Sequence, residues 1–496
     1  MKLSELLAGA EVAELSGPAG VQVSGLAYDS RRVEPGNLFF CVPGERADGH
    51  EFAPRAVSAG AAALVVERLL DLPVAQARVT DARAAMAGAA VRFWGDPTAR
   101  LEVAGITGTN GKTTTAFLVR HVLEAEGIPT GLLGTVKRVV GGVDEEVERT
   151  TPEAIDLQET FHRMLESGDR ACAMEVSSHA TSLGRTAGIH FAVAVFTNLT
   201  QDHLDFHGDM EAYFEAKRSL FVAPGETVEA AIVNVDDPYG ARLAAEIGAT
   251  GKTKLITFSA GGSDAADLRA LDVGFDAAGS RFRCLGSEGE VEIRTPLPGH
   301  FNVENTLAAI GACGALGVSL GAAATALAGA ERVPGRFEPV DLGQPFAVLV
   351  DYAHTPDSLD NVLRSARKLT PGRLIAVFGC GGDRDRDKRP LMGEIGARLS
   401  DVCVITSDNP RSEPPDAIID EILAGIGETA TGVRVEADRR AAIALALDEA
   451  EPGDTVVIAG KGHEQGQELA GGRKIPFDDR RVAADELGRR VGRFEQ

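Results

Sequence analysis

The stretch Gly105-Ile-Thr-Gly-Thr-Asn-Gly-Lys-Thr-Thr-Thr115 constrains this chain more than any other. A β-branched apolar run at 101–106 leads into it. A helical pattern at 114–126 follows and stops at Gly127. A strand that breaks into glycines and reopens as a helix turns several backbone N–H groups toward one point, where the helix N-terminus adds partial positive charge. Phosphate oxygens suit such a cradle. Lys112 would reach the outer phosphates and Thr113 would offer its hydroxyl to Mg2+. The strict spacing asks for glycine five positions before Gly111, where Ile106 stands; the glycines fall at 105, 108 and 111. An ordinary glycine-rich turn is the plain alternative. The joint presence of Gly-Lys-Thr, a strand before it and a helix after it favours the phosphate loop.

The same strand–loop–helix logic repeats along the chain. Further β-branched runs lie at 171–176, 191–197, 230–235, 346–350, 374–378, 402–406 and 455–459, with helical patterns between them. That alternation predicts α/β architecture with mainly parallel sheets. Polar residues gather just after the strands: Ser-Ser-His-Ala after 176, Asn-Leu-Thr-Gln-Asp-His after 197, Gly-Cys-Gly-Gly-Asp-Arg after 378, Ser-Asp-Asn-Pro-Arg after 406, Gly-Lys-Gly-His-Glu after 459. Open α/β sheets bind ligands at those ends. The first segment differs, with short strands near 25–28 and 38–42 and an amphipathic stretch at 53–62. Punctuation at Phe93-Trp-Gly-Asp-Pro97 and Arg332-Val-Pro-Gly-Arg336 divides the 496 residues into expected domains 1–98, 99–337 and 338–496. Gly321 to Ala330 reads as a tightly packed helix.

The formal net charge is −23, so a sequence-independent nucleic-acid binder and an anionic-membrane binder are both disfavoured. None of the six cysteines has CxxC spacing, and all sit on apolar runs, as buried free thiols do. The N-terminal MKLSELLAGAEVAEL is interrupted by glutamates and reads as a short helix rather than a leader. No run approaches the ~20 apolar residues that span a bilayer. The expectation is a cytoplasmic monomer with small-molecule partners, without nucleic acid or membrane insertion.

One lysine stands out. Residues 209–221 read as a helix with Asp209 as N-cap, and Met210, Tyr213, Phe214 and Phe221 form its apolar face. Lys217 falls on that same face. A buried ammonium must pair, lose its proton or be modified; the plain alternative is a lysine that snorkels to water. Just upstream, Asp202-His-Leu-Asp-Phe-His207 is rich in metal-ligand types, and Glu175 closes another strand.

Taken together, these motifs resemble the Mur ligases. The resemblance is carried by Gly108-Thr-Asn-Gly-Lys-Thr-Thr114, Glu175-Val-Ser-Ser-His179, Asn198-Leu-x-x-Asp-His-Leu-Asp205, Tyr213-Phe-Glu-Ala-Lys217, His300-Phe-Asn-Val-Glu-Asn305, Gly335-Arg-Phe-Glu338 and Asp351-Tyr-Ala-His-Thr-Pro356. It implies an ADP-forming amide ligase of peptidoglycan precursor synthesis, with three domains: a smaller α/β substrate-binding domain, a central P-loop ATPase-type parallel sheet and a C-terminal Rossmann-like sheet. Asp29-Ser-Arg31, Thr150-Thr-Pro152, Gly379-Cys-Gly-Gly-Asp-Arg384, Asp408-Asn-Pro-Arg411 and Gly460-Lys-Gly-His-Glu464 point to the branch that adds a third residue to UDP-N-acetylmuramoyl-L-alanyl-D-glutamate.

The resemblance also implies roles. ATP falls to Gly108, Thr109, Asn110, Gly111, Lys112, Thr113 and Thr114, with Asn302, Asn305, Arg336 and Asp351 at the nucleotide end. The catalytic set is Lys112, Glu175, His203 and Lys217. Lys217 is implied to be carbamylated by CO2, and Thr113, Glu175, His203 and the carbamate to serve Mg2+. Ser30, Thr150, Thr151, Ser177 and Arg185 match the UDP-muramoyl-dipeptide residues; Leu183 stands where the family often has glutamine. Arg384, Asp408, Asn409, Pro410, Arg411, Gly460 and Glu464 match the pocket for meso-diaminopimelate. The chemistry agrees: Arg411 offers a planar fork for a second carboxylate, and Asp408 or Glu464 can accept from an ammonium. Lysine or ornithine would end in an ammonium alone, which Arg411 repels. The plain alternative has Arg411 paired with Glu413 or Asp416. Two other readings stand beside the ligase: a folylpolyglutamate-synthase-like ligase and a nucleotide-binding scaffold with an inactive site.

Overall fold

A computed structural model describes residues 1–44, 47–147, 149–222, 228–427 and 430–490. It is α/β, with parallel-rich sheets. The residues form two compact units: 1–107, 127–194 and 216–231 make one; 108–126, 195–215 and 232–496 make the other.

In the first unit, strands Asn37–Phe40, Ala63–Val66 and Ala75–Val79 run parallel beside Gly25–Ala27, and Val12–Ser16 closes the edge antiparallel. Alternate side chains serve opposite faces. Leu38, Phe40, Ala63 and Val65 pack with Ala85, Met86, Ala89 and Ala90 of helix Ala82–Trp94. Phe39, Leu64 and Val66 pack with Ala53 and Ala56 of helix Ala53–Ser58. The expected N-terminal helix is only Leu3–Leu6, because the chain turns at Gly9 (φ +84°) and pairs as a strand from Val12. The same unit holds Glu102–Thr107, Ala171–Glu175 and Thr130–Leu133 as neighbouring parallel strands.

In the second unit, strands Ala347–Asp351, Thr455–Ala459, Leu374–Phe378, Val402–Ile405 and Val433–Val435 lie parallel in that order, with the short Glu338–Pro339 antiparallel at the edge. Ala376 and Phe378 face helices Pro356–Leu369, Lys388–Leu399 and Pro415–Leu423. Ile375 and Val377 face Arg439–Glu449 and Asp479–Gly488. Both faces are thus covered, the doubly wound arrangement. The unit also contains a meander, Leu268–Asp276, Gly279–Gly286 and Gly289–Thr295, absent from the sequence reading. Their alternation by twos is legible in Arg281-Phe-Arg-Cys284 and Glu290-Val-Glu-Ile293, with Phe282, Cys284 and Ile293 buried. Cys41, Cys172, Cys284, Cys313, Cys380 and Cys403 are all buried free thiols. Among the described residues no helix is long and apolar enough to cross a membrane.

Candidate active site

The phosphate loop closes at Gly111, the N-cap of helix Lys112–Ala125, which begins two residues earlier than its periodicity predicts. Gly111 has φ +88°, and a Cβ there would collide with Asn305 Oδ1, so only glycine serves. The loop is held from outside. Asn110 N–H donates to Asn198 Oδ1 (2.9 Å), Thr197 Oγ1 donates to the Asn110 carbonyl (2.6 Å), and Asn110 Nδ2 donates to Asp357 Oδ2 (2.8 Å). Thr109 Oγ1 lies 3.1 Å from the Tyr213 hydroxyl. Lys112 Nζ donates to the carbonyls of Gly108 (2.9 Å) and Thr109 (2.8 Å), folding over the cradle. Thr114 is buried on the first helical turn.

Several residues distant in sequence join it. Arg336 Nη2 donates to Thr113 Oγ1 (2.9 Å) and its guanidinium stacks 4.5 Å above the Tyr352 ring. Asn305 Nδ2 donates to Asn302 Oδ1 (3.2 Å). Asp351 accepts from the N–H groups of Phe337 (2.7 Å) and Ala353 (2.8 Å). Burial pushes its carboxyl up to about 6, against the pull of Arg336 and those two bonds. Thr197 and Asp357 are loop supports that no local spacing announces, whereas Asn198 opens one of the motifs quoted above.

At the C-terminal ends of the doubly wound strands lies a cavity of about 240 Å3. Arg384, Asp408, Asn409, Arg411, Gly460 and Glu464, predicted as one pocket, line it together; Pro410 is not part of the wall. His203 lines it too, with Asp202, Tyr352, His354, Asp385 and Lys388. Arg411 adopts φ +50° and spends its contacts on Glu468 (Nε to Oε2, 2.8 Å) and the Gly382 carbonyl (2.7 Å). Of its two expected surface partners, Glu413 is held by the buried Arg389 at 2.8 Å, and among the described residues the half-exposed Glu468, not Glu413 or Asp416, takes that place. Arg384 donates to the Asp383 carbonyl (2.9 Å). Asp202 is buried, which raises its carboxyl, but Lys388 at 3.5 Å, His203 at 3.3 Å and His354 at 3.8 Å hold it well below the usual carboxylate range. Burial and Lys388 push His354 below the usual histidine range.

In the first unit, Glu175 accepts from the N–H (2.7 Å) and hydroxyl (3.0 Å) of Thr135, whose hydroxyl lies 3.1 Å from that of Thr150. Thr151 Oγ1 donates to the Glu175 carbonyl (2.9 Å) and accepts from Ser177 N–H (3.1 Å). Arg185 donates to the Thr151 carbonyl (3.2 Å) and pairs with Glu153 at 3.0 Å. Four predicted residues therefore meet around Glu175. Thr135 and Glu153 connect them and were not foreseen. Ser30 is buried a few residues beyond strand Gly25–Ala27. Leu183 caps the C-terminus of helix Ser178–Ser182.

Lys217 lies in helix Met210–Val222 and is 1% exposed, with Tyr213, Phe214 and Phe221 buried on the same helix. Asp209 accepts from Ala212 N–H (2.8 Å), the expected cap. A snorkelling head is thereby ruled out. Among the described residues no group of three His, Cys, Asp or Glu side chains stands close enough to hold a metal. The predicted Mg2+ set contains one carboxylate, one imidazole, one hydroxyl and a modified lysine. Its oxygen donors suit a hard cation.

A P-loop beside a doubly wound sheet whose strand ends carry a charged cavity defines a nucleotide-dependent enzyme of α/β architecture. Family models match most of the chain: Mur ligase family, catalytic domain at 22–101; Mur ligase middle domain at 106–313; Mur ligase, glutamate ligase domain at 335–462. The chain belongs to the Mur ligase family. It is 48% identical, over 99% of both chains, to the UDP-N-acetylmuramoyl-L-alanyl-D-glutamate–2,6-diaminopimelate ligase of Gloeobacter violaceus. It is 47% identical to the ligase of that name from Syntrophomonas wolfei, over 99% of this chain and 100% of the relative. A solved structure of a ligase of that name superposes with a TM-score of 0.69 at 32% identity, covering 98% of this chain and 99% of the other.

Proposed function

We propose that this chain is an ATP-dependent ligase that joins meso-diaminopimelate to the γ-carboxylate of UDP-N-acetylmuramoyl-L-alanyl-D-glutamate in peptidoglycan precursor synthesis. The observation that carries the reading is the cavity in which Arg384, Asp408, Asn409, Arg411 and Glu464 converge. Its mixture of guanidinium and carboxylate groups suits a zwitterionic amino-acid head. The 48% identity along 99% of the chain supports this over a folylpolyglutamate-synthase-like ligase or an inactive scaffold.

Carboxylates are poor acylating groups. ATP supplies the phosphoryl group that turns the dipeptide's γ-carboxylate into an acyl phosphate, releasing ADP. The amine of diaminopimelate then attacks that carbonyl carbon and phosphate leaves. Lys112 and the loop N–H groups from Gly108 to Thr114 hold and neutralise the phosphates. Asn302, Asn305, Arg336 and Asp351 hold the nucleoside end. Ser30, Thr150, Thr151, Ser177 and Arg185 hold the UDP-muramoyl-dipeptide, with Arg185 facing its anionic groups. Arg411 takes the distal carboxylate of diaminopimelate, Asp408 and Glu464 its distal ammonium, and the cavity fixes its reacting amine, a proximity effect.

Mg2+ would be held by Thr113, Glu175, His203 and Lys217, and bound there it lowers the negative charge on the transferring phosphoryl group. Carbamylation by CO2 would turn Lys217 from an ammonium into a carboxylate-like ligand whose negative charge the metal would balance. The three functional parts are 1–98 for the UDP-sugar, 99–337 for ATP and 338–496 for the amino acid. The chain works as a cytoplasmic monomer without nucleic-acid or membrane partners. The test is phosphate release with UDP-muramoyl-dipeptide across meso-diaminopimelate, L-lysine and L-ornithine. Release without regard to the amino acid refutes the reading.

A further inference from the structure

The loop after strand Thr455–Ala459 does something that the ligand set above leaves unexplained. Lys461 turns inward and its side chain is 0% exposed. Its ammonium meets Asn409 Oδ1 at 2.8 Å, Glu464 Oε2 at 2.9 Å and Asp408 Oδ1 at 3.5 Å. An ammonium has three donors, and all three are directed at residues of the amino-acid cavity wall. Gly460, at φ +120°, makes the inward turn possible: a Cβ there would stand 2.8 Å from Asp408 Oδ2.

The consequences for the wall are specific. Asn409 Oδ1 also accepts from Glu468 N–H (2.9 Å), so the amide cannot flip, and its Nδ2 donates to Glu464 Oε2 (3.0 Å). Glu464 therefore has Oε2 engaged twice by the protein, while Oε1 has only the Tyr352 hydroxyl at 3.5 Å. Burial raises the Asp408 carboxyl, but Lys461 and then Arg439 draw it below the ordinary range, so it stays ionised. Of the carboxylates that line the cavity, Asp408 and Glu464 are the two that Lys461 holds, and Glu464 Oε1 is left turned away from that ammonium.

We infer that Lys461 is a positioning residue that sets the orientation of Asn409 and Glu464, so that the cavity wall is shaped for an amino-acid head, with its ammonium on Glu464 and its carboxylate toward Arg411, rather than for a bare ammonium. The inference rests on the function proposed above and deepens it. Lys461 does not touch the amino acid; it acts through the three residues it binds.

The test compares the full-length wild type with Lys461→Met and Lys461→Arg, by steady-state phosphate release with meso-diaminopimelate and with L-lysine. Methionine keeps the length of the side chain and removes the cation. Lys461→Met is expected to lower kcat/KM for diaminopimelate relative to that for lysine by about tenfold or more, mainly through KM, with KM for ATP within about twofold of wild type. Lys461→Arg is expected to recover most of the preference. Equal losses toward both amino acids, with or without a fall in Tm, overturn the inference, because a merely structural lysine would produce them. Calorimetric binding of the two amino acids to the same proteins reads the same ratio, and it decides the question if Lys461→Met is too weak to assay. Wild type that releases no phosphate with either amino acid sinks the proposed function itself; the binding ratio then still decides Lys461.

Discussion

Arg411 Nε and Glu468 Oε2 face each other at 2.8 Å, and the backbone N–H of Arg411 donates to the Glu468 carbonyl at 3.1 Å. One residue pair thus fixes the guanidinium by both main chain and side chain, at a backbone angle that an arginine rarely adopts. The fork is aimed before any ligand arrives. Arg411→Ala is expected to raise KM for diaminopimelate by about tenfold to a hundredfold, the worth of a charged hydrogen bond. KM for ATP should stay within about twofold of wild type. Initial-rate kinetics varying each substrate in turn checks this, and parallel rises in both KM values would count against it.

The pair Arg439–Asp479, 2.7 Å apart with both side chains 0% exposed, supports the cavity from behind. Arg439 also donates to the carbonyls of Ala459 (2.9 Å) and Ser407 (3.3 Å), where two strands end. Removing Asp479 takes away the carboxylate bonded to a buried guanidinium. Asp479→Ala is expected to destabilise the protein by about 3–5 kcal/mol in urea unfolding. A change within about 0.5 kcal/mol, the usual range for surface substitutions, would contradict the role.

Glu304, on helix His300–Ala315, has its carboxyl pushed up to about 8 by burial first and then by Asp236, Asp357 and Asp237. A carboxyl whose pKa rises on folding holds its proton more tightly in the native state. Its contribution to stability is therefore present below the ordinary 4.5 and is lost as pH rises toward about 8. Glu304→Gln, which cannot ionise, should gain Tm relative to wild type as pH increases across that window. Thermal melts at several pH values give the comparison, and a pH-independent difference would refute it.

Lys217 offers a chemical test. Labelling with 13C-bicarbonate should place a carbamate carbon on the wild type that is missing from Lys217→Ala. The variant should lose about a hundredfold or more in kcat, and acetate or formate should restore part of it by filling the vacated space with a carboxylate. Full activity of Lys217→Ala without added carboxylate would remove the carbamate from the account.

Much of this was legible locally. The phosphate loop announced itself through glycine spacing and context, and Lys217 through its place among Tyr213, Phe214 and Phe221 on one helical face. The α/β architecture followed from strand–helix alternation. What escaped was set by distant pairings. Lys461 reads as an ordinary loop lysine until Asp408 and Asn409, more than fifty residues away, close around it. Lys388 and Asp202 meet across a still longer separation. The meander from Leu268 to Thr295 escaped as well, although alternations such as Arg281-Phe-Arg-Cys284 mark its strands locally.

The central claim is that the cavity at the strand ends selects diaminopimelate as the amine that attacks an activated muramoyl-dipeptide. Its most direct test is kcat/KM for meso-diaminopimelate against L-lysine, with ATP and UDP-N-acetylmuramoyl-L-alanyl-D-glutamate both saturating. The account predicts a ratio of about a hundredfold or more in favour of diaminopimelate, since lysine brings no second carboxylate to the Arg411 guanidinium. A ratio near one, or a preference for lysine, would contradict it.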